Sequence, residues 1–158
     1  MKKVLIAVDY DPAAQKIAEA GYALAKSMGA QAILLHVISD YFYYSSLDYS
    51  PILGYDSFSN LGALQTGTSQ DLQDAAQNYL DATKQHLGDP AIETVIKEGD
   101  FGEIIIGTSK ELNVDVIVMG THGRRGIDKM LMGSVAEKVL RNTAIPMFII
   151  PTKEEEKK

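Results

Sequence analysis

One stretch of the chain decides its fold: Val116-Ile-Val-Met-Gly120-Thr-His-Gly123-Arg-Arg-Gly126-Ile-Asp-Lys-Met-Leu-Met-Gly133-Ser134-Val-Ala-Glu137. It is typical of a short apolar strand that ends at Gly120, a glycine-containing loop, and a helix that begins near Gly133. Residues without a Cβ tolerate positive φ angles and let backbone amides approach a ligand closely. The unpaired amides and the positive dipole end of a helix N-terminus suit an anion such as phosphate. The stretch therefore predicts a strand–loop–helix unit with an anion site in its loop.

Outward from this unit, further segments rich in branched aliphatic residues give five predicted strands in all: Val4 to Val8, Ala32 to Ile38, Ile92 to Ile96, Asp115 to Met119 and Pro146 to Ile150. Their nearly continuous apolar character is typical of parallel strands covered on both faces. Helical periodicity fills the gaps, with Asp11 as the predicted N-cap of the first helix, Gly29 and Gly88 ending the first two, and Gly107 inside the third. The alternation predicts an open, doubly wound α/β sandwich that binds ligands at the carboxyl ends of its strands.

Length and composition limit the class of protein. The chain has 158 residues, 46% of them hydrophobic, which predicts one domain over residues 1–152 and a solvated charged tail over residues 153–158. It has no cysteine, so disulfides and thiolate chemistry are excluded. A net charge of −6 without a basic run argues against nucleic-acid binding. No apolar run approaches the roughly 20 residues of a membrane helix. We therefore expect a cytoplasmic protein.

A long segment, residues 39–68, has neither helical nor strand periodicity. It contains seven of the chain's twelve aromatic residues, among them Tyr41, Phe42, Tyr43 and Tyr44. Loops of this length are uncommon inside a compact domain and are usually functional or disordered, and disordered segments are poor in aromatics. The composition therefore favours packing against something. A flap that closes its own domain, a dimer or protein contact, and a ligand lid all remain open.

The glycine loop itself allows more than one interpretation. Residues 121–134 carry three basic side chains, including Arg124 and Arg125, and one acidic side chain, which favours phosphate but is also typical of a solvated loop surface. Ser134 and Glu137 have the spacing of a helix capping box, which needs no ligand. The sequence has no G-x-x-x-x-G-K-[ST], and no G-x-G-x-x-G follows the first strand. Motor-type hydrolysis and hydride transfer are therefore disfavoured.

The pattern Gly120-x2-Gly123-x9-Gly133-Ser134 resembles the G-2x-G-9x-G-[S/T] nucleotide motif of the ATP-binding branch of the universal stress proteins. The resemblance spans nearly the whole chain and includes Val4-Leu-Ile-Ala-Val-Asp9, Leu34-Leu-His-Val37 and Pro146-Met-Phe-Ile-Ile-Pro151. It implies a five-stranded parallel sheet of order 3-2-1-4-5 with helices on both faces. It also implies a homodimer, and an adenine nucleotide between the ends of the first and fourth strands.

Carried over residue by residue, the resemblance implies that Asp9 contacts the ribose and that backbone groups of Val37 contact the adenine edge. Ala7 and Met119 form nearby walls. The remaining implied contacts are Gly120 near the ribose or α-phosphate, and Gly123, Gly133, Ser134 and Val135 on the phosphates. His122, which lies in the same loop, is a further candidate for phosphate. The implied ligand is ATP, or AMP or ADP, with Mg²⁺ or Mn²⁺; no metal-binding residue is assigned.

Two features depart from the family pattern. The first turn is Asp9-Tyr10-Asp11 where the family often has Asp-Gly-Ser, so a small residue and a hydroxyl are missing and a second carboxylate is present. That change would weaken nucleotide binding or recruit a metal ion. The aromatic segment is also long for the family. His36, inside an apolar strand, is interpreted as a core histidine rather than a ligand.

These observations predict a homodimeric adenine-nucleotide-binding regulator of the stress response or energy state, with at most slow ATP hydrolysis and no assigned catalytic residue. The last strand, Pro146 to Pro151, is bracketed by prolines, which suits an edge strand, and a partner strand from a second copy would protect it. Two alternatives stay open. One is a phosphohydrolase or adenylyl-transferring enzyme on the same scaffold, and the other is a nucleotide-free interaction module that uses the aromatic segment.

Overall fold

A computed structural model describes residues 1–11, 13–39, 69–121 and 133–152 of the chain. The aromatic segment from residue 40 to residue 68, His122, Gly123 and the tail from residue 153 lie outside the described residues. Strands and helices alternate along the described chain: β1 (Lys3–Ala7), α1 (Ala14–Ser27), β2 (Gln31–Ile38), α2 (Ser69–Leu87), β3 (Glu93–Glu98), α3 (Phe101–Glu111), β4 (Val116–Gly120), α4 (Ser134–Asn142) and β5 (Met147–Ile150).

The five strands form one parallel sheet of order β3-β2-β1-β4-β5, which confirms the predicted fold class. β1 lies at the centre, with Ala7 opposite Leu35 of β2 and Ile6 opposite Val118 of β4. The chain winds outward from β1 in one direction to β3 and then in the other direction to β5. The winding therefore reverses between β1 and β4, where open α/β sheets bind their ligands.

Both faces of the three inner strands, β2, β1 and β4, are buried, which explains why these strands are apolar without alternation. Val4, Leu5 and Ile6 of β1 are all 0% exposed. Val4 and Ile6 belong to a core layer completed by α1 and α2, whereas Leu5 belongs to a second layer with Ile105 of α3 and Val139 of α4. Successive β1 residues therefore point to opposite faces, and each face has its own pair of helices.

The helix ends confirm two predictions and correct a third. Gly29 and Gly88, with φ of 63° and 72°, follow α1 and α2 in the left-handed conformation that ends helices. Asp11 is not the N-cap of α1, because Ala13 occupies that position and makes no side-chain cap. Instead, Asp11 Oδ1 accepts the Ala13 N–H at 2.7 Å. A short carboxylate reaches the amide two residues on most readily, so Asp11 closes the turn before the helix.

Gly107 is an exposed residue of α3 at which alanine should stabilise the protein. A Cβ at this position meets no atom within 4 Å, and its φ is not positive. Alanine in place of glycine in a helix lowers the entropy of the unfolded chain, so Gly107→Ala is expected to raise the free energy of unfolding by about 0.5–1 kcal/mol. Urea denaturation of both proteins measures the difference.

The matched control lies in the same helix at Gly102. A Cβ there comes within 2.7 Å of Lys138 Cδ, so Gly102→Ala must displace the lysine and is expected to gain less than Gly107→Ala. A larger gain at Gly102 than at Gly107 would contradict this account.

Candidate functional site

The carboxyl ends of β1 and β4 lie side by side where the strands of the sheet finish, and we call this end of the strands the sheet edge. The chain leaves it through Asp9 and Thr121. Val8 donates its N–H to the Leu35 carbonyl at 2.9 Å, so the contact of β1 with β2 extends one residue past the strand. Thr121 in turn donates its N–H to the Ile150 carbonyl at 3.0 Å. Both turns therefore start from positions fixed by the sheet.

Asp9 is half-buried just beyond β1, with backbone and side chain both engaged. Its Oδ1 accepts the N–H of Tyr10 at 2.6 Å, and its carbonyl accepts the hydroxyl of Tyr79 at 2.8 Å. A backbone amide thus helps to hold the carboxylate at the sheet edge. Tyr79, on α2, carries no sequence motif and was not predicted to touch this turn.

The bulky residue of the departing turn, Tyr10, lies in the core and not at the sheet edge. It is 1% exposed, and its ring packs against His36 and Tyr79 with centroid distances of 4.5 and 4.9 Å. Burial, and secondarily the Asp9 charge, raise the pKa of its hydroxyl well above the ordinary value. Asp11 is only 9% exposed, in the turn described above. The first turn lacks the small residue of the family pattern, but Tyr10 is buried in the core, so its ring does not fill the space beside Asp9 at the sheet edge.

Four of the predicted site residues share one core layer. Val37 and Met119 are 3% and 6% exposed, and the half-buried Ala7 and Val135 pack against the same cluster. Packing in the core is by itself a sufficient reason for these four apolar side chains. The Leu35 carbonyl faces β1, and residues two apart in a strand direct their backbone groups to the same neighbour. The backbone of Val37 is therefore directed toward the side of the Asp9 turn.

The start of α4 is held directly at the end of β4. Gly133 is the N-cap residue and donates its N–H to the Thr121 carbonyl at 2.6 Å. The first intrahelical bond runs from the Glu137 N–H to the Gly133 carbonyl at 3.0 Å, so the amides of residues 134–136 have no acceptor inside the helix. The N-cap residue itself is a glycine and has no side chain that could accept these amides.

The capping-box interpretation of Ser134 is therefore wrong. A capping box places the serine at the N-cap and the glutamate three residues into the helix. Here Gly133 holds the N-cap position, and Ser134 is the exposed first residue of α4. The Gly133 amide, a predicted phosphate donor, is already engaged with Thr121, so the amides of Ser134 and Val135 are better placed for an anion.

Gly120 is required by packing. A Cβ at this position comes within 2.6 Å of Thr152 Cγ2 and 2.7 Å of Ile17 Cδ1, so a side chain has no room between α1 and the C-terminal segment. Thr152 is itself tied to β4, because it donates its N–H to Thr121 Oγ1 at 3.1 Å. The glycine pattern alone does not contain these tertiary contacts.

Gly120→Ala is accordingly expected to lower the free energy of unfolding by about 2 kcal/mol, within the range for overpacked positions. Removing the two opposing methyl groups should recover part of the loss, since Ile17→Val deletes Cδ1 and Thr152→Ser deletes Cγ2 while keeping the hydroxyl. Thermal unfolding of the single variant, the triple variant and the Ile17→Val, Thr152→Ser background measures both effects. Full tolerance of alanine at residue 120 would contradict the packing account.

His36 is a core histidine, as predicted. It is 0% exposed, and its Nδ1 lies 3.0 Å from the Val8 carbonyl. Because a carbonyl only accepts, Nδ1 carries the proton. Within the described residues, Nε2 has no hydrogen-bond partner. Burial lowers the pKa of the imidazole to about 4, although the bond to Val8 opposes the shift.

Across residues 1–11, 13–39, 69–121 and 133–152, no group of three or more His, Asp or Glu side chains is placed to hold a metal ion. None of the helices in that part of the chain is long and apolar enough to cross a membrane.

The fold is that of an open, doubly wound α/β protein, and the N-terminus of α4, with a glycine as its N-cap residue, lies at the end of β4. A family model described as the Universal stress protein family matches residues 1–151, and the chain belongs to that family. It is 28% identical over 155 residues to universal stress protein A of Escherichia coli strain K12, covering 98% of this chain and 97% of that protein. The corresponding protein of Yersinia pestis is 27% identical over 155 residues, with 98% and 95% covered.

Solved structures repeat the architecture. Hypothetical protein MJ0577 matches with a TM-score of 0.72 and 24% identity, covering 98% of each chain. A universal stress protein in complex with cAMP matches with a TM-score of 0.62 and 18% identity, covering 96% of this chain and 98% of that one. A universal stress protein family protein from Arabidopsis thaliana with AMP bound gives 0.61 and 18%, with 97% and 93% covered. At these identities the likeness shows the fold alone.

Proposed function

We propose that this chain belongs to the ATP-binding branch of its family and binds an adenine nucleotide at the sheet edge between β1 and β4. One observation carries the proposal. The hydrogen bond of 2.6 Å from the Gly133 N–H to the Thr121 carbonyl holds the start of α4, whose N-cap residue is a glycine, at the end of β4. Residues 122–132 separate these two positions in sequence, yet the bond joins the two halves of the glycine pattern. An anion is the natural occupant of such a helix start.

Each part of the nucleotide has a proposed contact. The amides of Ser134 and Val135 hold phosphate oxygens, and Asp9 accepts hydrogen bonds from the ribose hydroxyls. Val37 offers backbone groups to the adenine edge. The other proposed contacts are Ala7 and Met119 as walls, Gly120 near the ribose or α-phosphate, Gly133 at the helix start, and His122 and Gly123, which lie outside the described residues.

The family relatives support an adenine nucleotide in particular. Of the solved structures with the same fold, one is described in complex with cAMP and another with AMP bound. Both ligands share adenine, ribose and phosphate. We propose ATP as the ligand of this chain, with AMP or ADP as alternatives and with Mg²⁺ or Mn²⁺ held by the phosphate oxygens. In this proposal the bound nucleotide signals stress or the energy state of the cell, and the protein hydrolyses ATP slowly at most.

The proposed assembly is a homodimer through β5. This strand is the outermost strand on its side of the sheet, and its Phe148 residue is 42% exposed. Leu140 of α4 is a second exposed large hydrophobic residue, at 51%. Exposed apolar edge strands invite pairing, and a second copy related by a twofold axis would cover this one. Sedimentation at micromolar concentration tests the assembly, and a monomer would contradict it.

Two measurements test nucleotide binding. Freshly purified protein is denatured and the released small molecules are identified, and nucleotide-free protein is then titrated calorimetrically with ATP, AMP and GTP in the presence of Mg²⁺. Binding of ATP or AMP, and weak binding of GTP, is the expected result. Absence of heat at millimolar ATP, together with no released nucleotide, would contradict the proposal.

A further inference from the structure

The turn that carries Asp9 is held by a buried tyrosine of α2, Tyr79, whose hydroxyl donates to the Asp9 carbonyl. We propose that Tyr79 is a positioning residue for ribose recognition, in which its hydroxyl fixes the peptide that orients the Asp9 carboxylate. The inference rests on the proposed function, because it concerns how that same site selects the sugar. Tyr79 itself is 1% exposed and is not proposed to touch the nucleotide.

The first step is the way the chain leaves the sheet. Two successive carbonyls at the end of β1 point to buried side chains: that of Val8 to His36 Nδ1 at 3.0 Å, and that of Asp9 to the Tyr79 hydroxyl at 2.8 Å. Backbone groups at a strand end ordinarily take neighbouring backbone or water as partners. Here rigid aromatic side chains from β2 and α2 define where the backbone goes.

The second step is the rigidity of the donor. The Tyr79 ring packs edge-on against Tyr10 at 4.9 Å and against His36 at 5.9 Å between centroids. Its neighbours along the buried face of α2, Ala76 and Leu80, are 0% exposed. A ring enclosed in this way stays in one rotamer, so its hydroxyl is presented at a fixed point.

The third step carries the constraint to the carboxylate. The Asp9 carbonyl and the Tyr10 N–H belong to the same peptide group, which is planar, so fixing one fixes the direction of the other. That N–H donates to Asp9 Oδ1 at 2.6 Å. The Tyr79 hydroxyl therefore sets the orientation of the Asp9 carboxylate through a single peptide plane. Without the hydroxyl this constraint on the peptide is lost, and we expect the carboxylate to be held less firmly in the direction of the ribose.

The test uses Tyr79→Phe, which removes the hydroxyl and keeps the packed ring. The readout is the ratio of the dissociation constants of 2′,3′-dideoxy-ATP and ATP. Hydrogen bonds from ribose hydroxyls to a carboxylate should give the wild-type protein a ratio of about 10 or more. We expect the ratio to fall to about 3 or less in Tyr79→Phe and to about 1 in Asp9→Ala, with the affinity for dideoxy-ATP nearly unchanged. A general loss of stability would weaken both ligands together and leave the ratio intact.

Tyr22→Phe is the matched control. Its hydroxyl donates to Asp89 Oδ2 at 2.7 Å and also links α1 to the end of α2, but it is remote from the Asp9 turn. The wild-type ratio should persist in this variant. A wild-type ratio in Tyr79→Phe would overturn the inference and leave the proposed function standing, whereas a wild-type protein that binds neither nucleotide overturns both.

A measurement on the unaltered protein covers the case in which Tyr79→Phe does not fold. The Tyr10 amide, held by Asp9 Oδ1 on the peptide fixed by Tyr79, should be protected from hydrogen exchange in the nucleotide-free protein. Exchange of this amide at the rate of an unstructured peptide would overturn the inference.

Discussion

Gly133→Glu is expected to raise the dissociation constant for ATP at least about 100-fold, equivalent to about 2.7 kcal/mol. The new carboxylate would stand at the start of α4, beside the amides of Ser134 and Val135 proposed to hold phosphate. It would exclude the phosphates by volume and by like charge. Gly133 has φ of −71° and ψ of 162°, an ordinary extended conformation, so a side chain causes no backbone strain. Calorimetric titration with ATP measures the effect.

The fold should survive this substitution, because a negative charge at a helix N-terminus is favourable. Gly107→Glu adds the same charge at the exposed site on α3, and should leave ATP affinity unchanged. If Gly133→Glu and the wild type bind ATP with equal affinity, and both proteins are folded, the proposal that the phosphates bind at the start of α4 is wrong.

The stability of the protein is expected to fall steeply with acidification, and much of the fall should come from His36. Burial lowers its pKa from 6.5 to about 4 in the folded state. Between pH 6.5 and about pH 4, His36 is protonated in the unfolded chain but stays neutral in the folded protein. The stabilisation is therefore complete above pH 6.5 and is lost as the pH falls toward 4, for a total of about 3 kcal/mol. Urea denaturation across this range measures it.

His36→Asn isolates the contribution of the imidazole. Its amide can still donate toward the Val8 carbonyl, but it does not titrate. The variant should be less stable at neutral pH because it leaves a cavity, and its stability should fall less between pH 6.5 and 4. A further fall begins near pH 4 and continues below it, since the Glu103 backbone amide and the Lys138 ammonium lower the pKa of Asp100 from 3.8, and the stabilisation from that carboxylate is lost as it takes up a proton. Parallel curves for the wild type and His36→Asn would contradict the assignment.

The sheet could be predicted from the sequence because strand burial is recorded in the chain itself. Val4, Leu5 and Ile6 form an unbroken apolar run, and their complete burial on two faces is the physical reason for it. The helix stops were also local, since Gly29 and Gly88 adopt positive φ angles that glycine tolerates best. The strand order came from the family resemblance, because periodicity does not say which strands are neighbours.

The site was only partly predictable. The sequence placed Asp9 and Gly133 at the ends of elements, and it left a capping role open for Ser134 that the structure excludes, because Gly133 is the N-cap residue. It did not predict the packing at Gly120, where Ile17 and Thr152 fill the space that a Cβ would need. These contacts join residues far apart in the chain, so no local pattern contains them.

By itself, then, the chain determined the helices and strands and the parallel character of the sheet, at whose carboxyl-end edge we propose the ligand, because burial periodicity, glycine conformations and helix starts are local properties. Tertiary structure alone decided how that edge is built. It turned Tyr10 into the core, brought the Tyr79 hydroxyl to the Asp9 carbonyl, and joined the Gly133 amide to Thr121. Hydrogen bonds and close packing depend on distances between atoms, and only the folded chain fixes those distances.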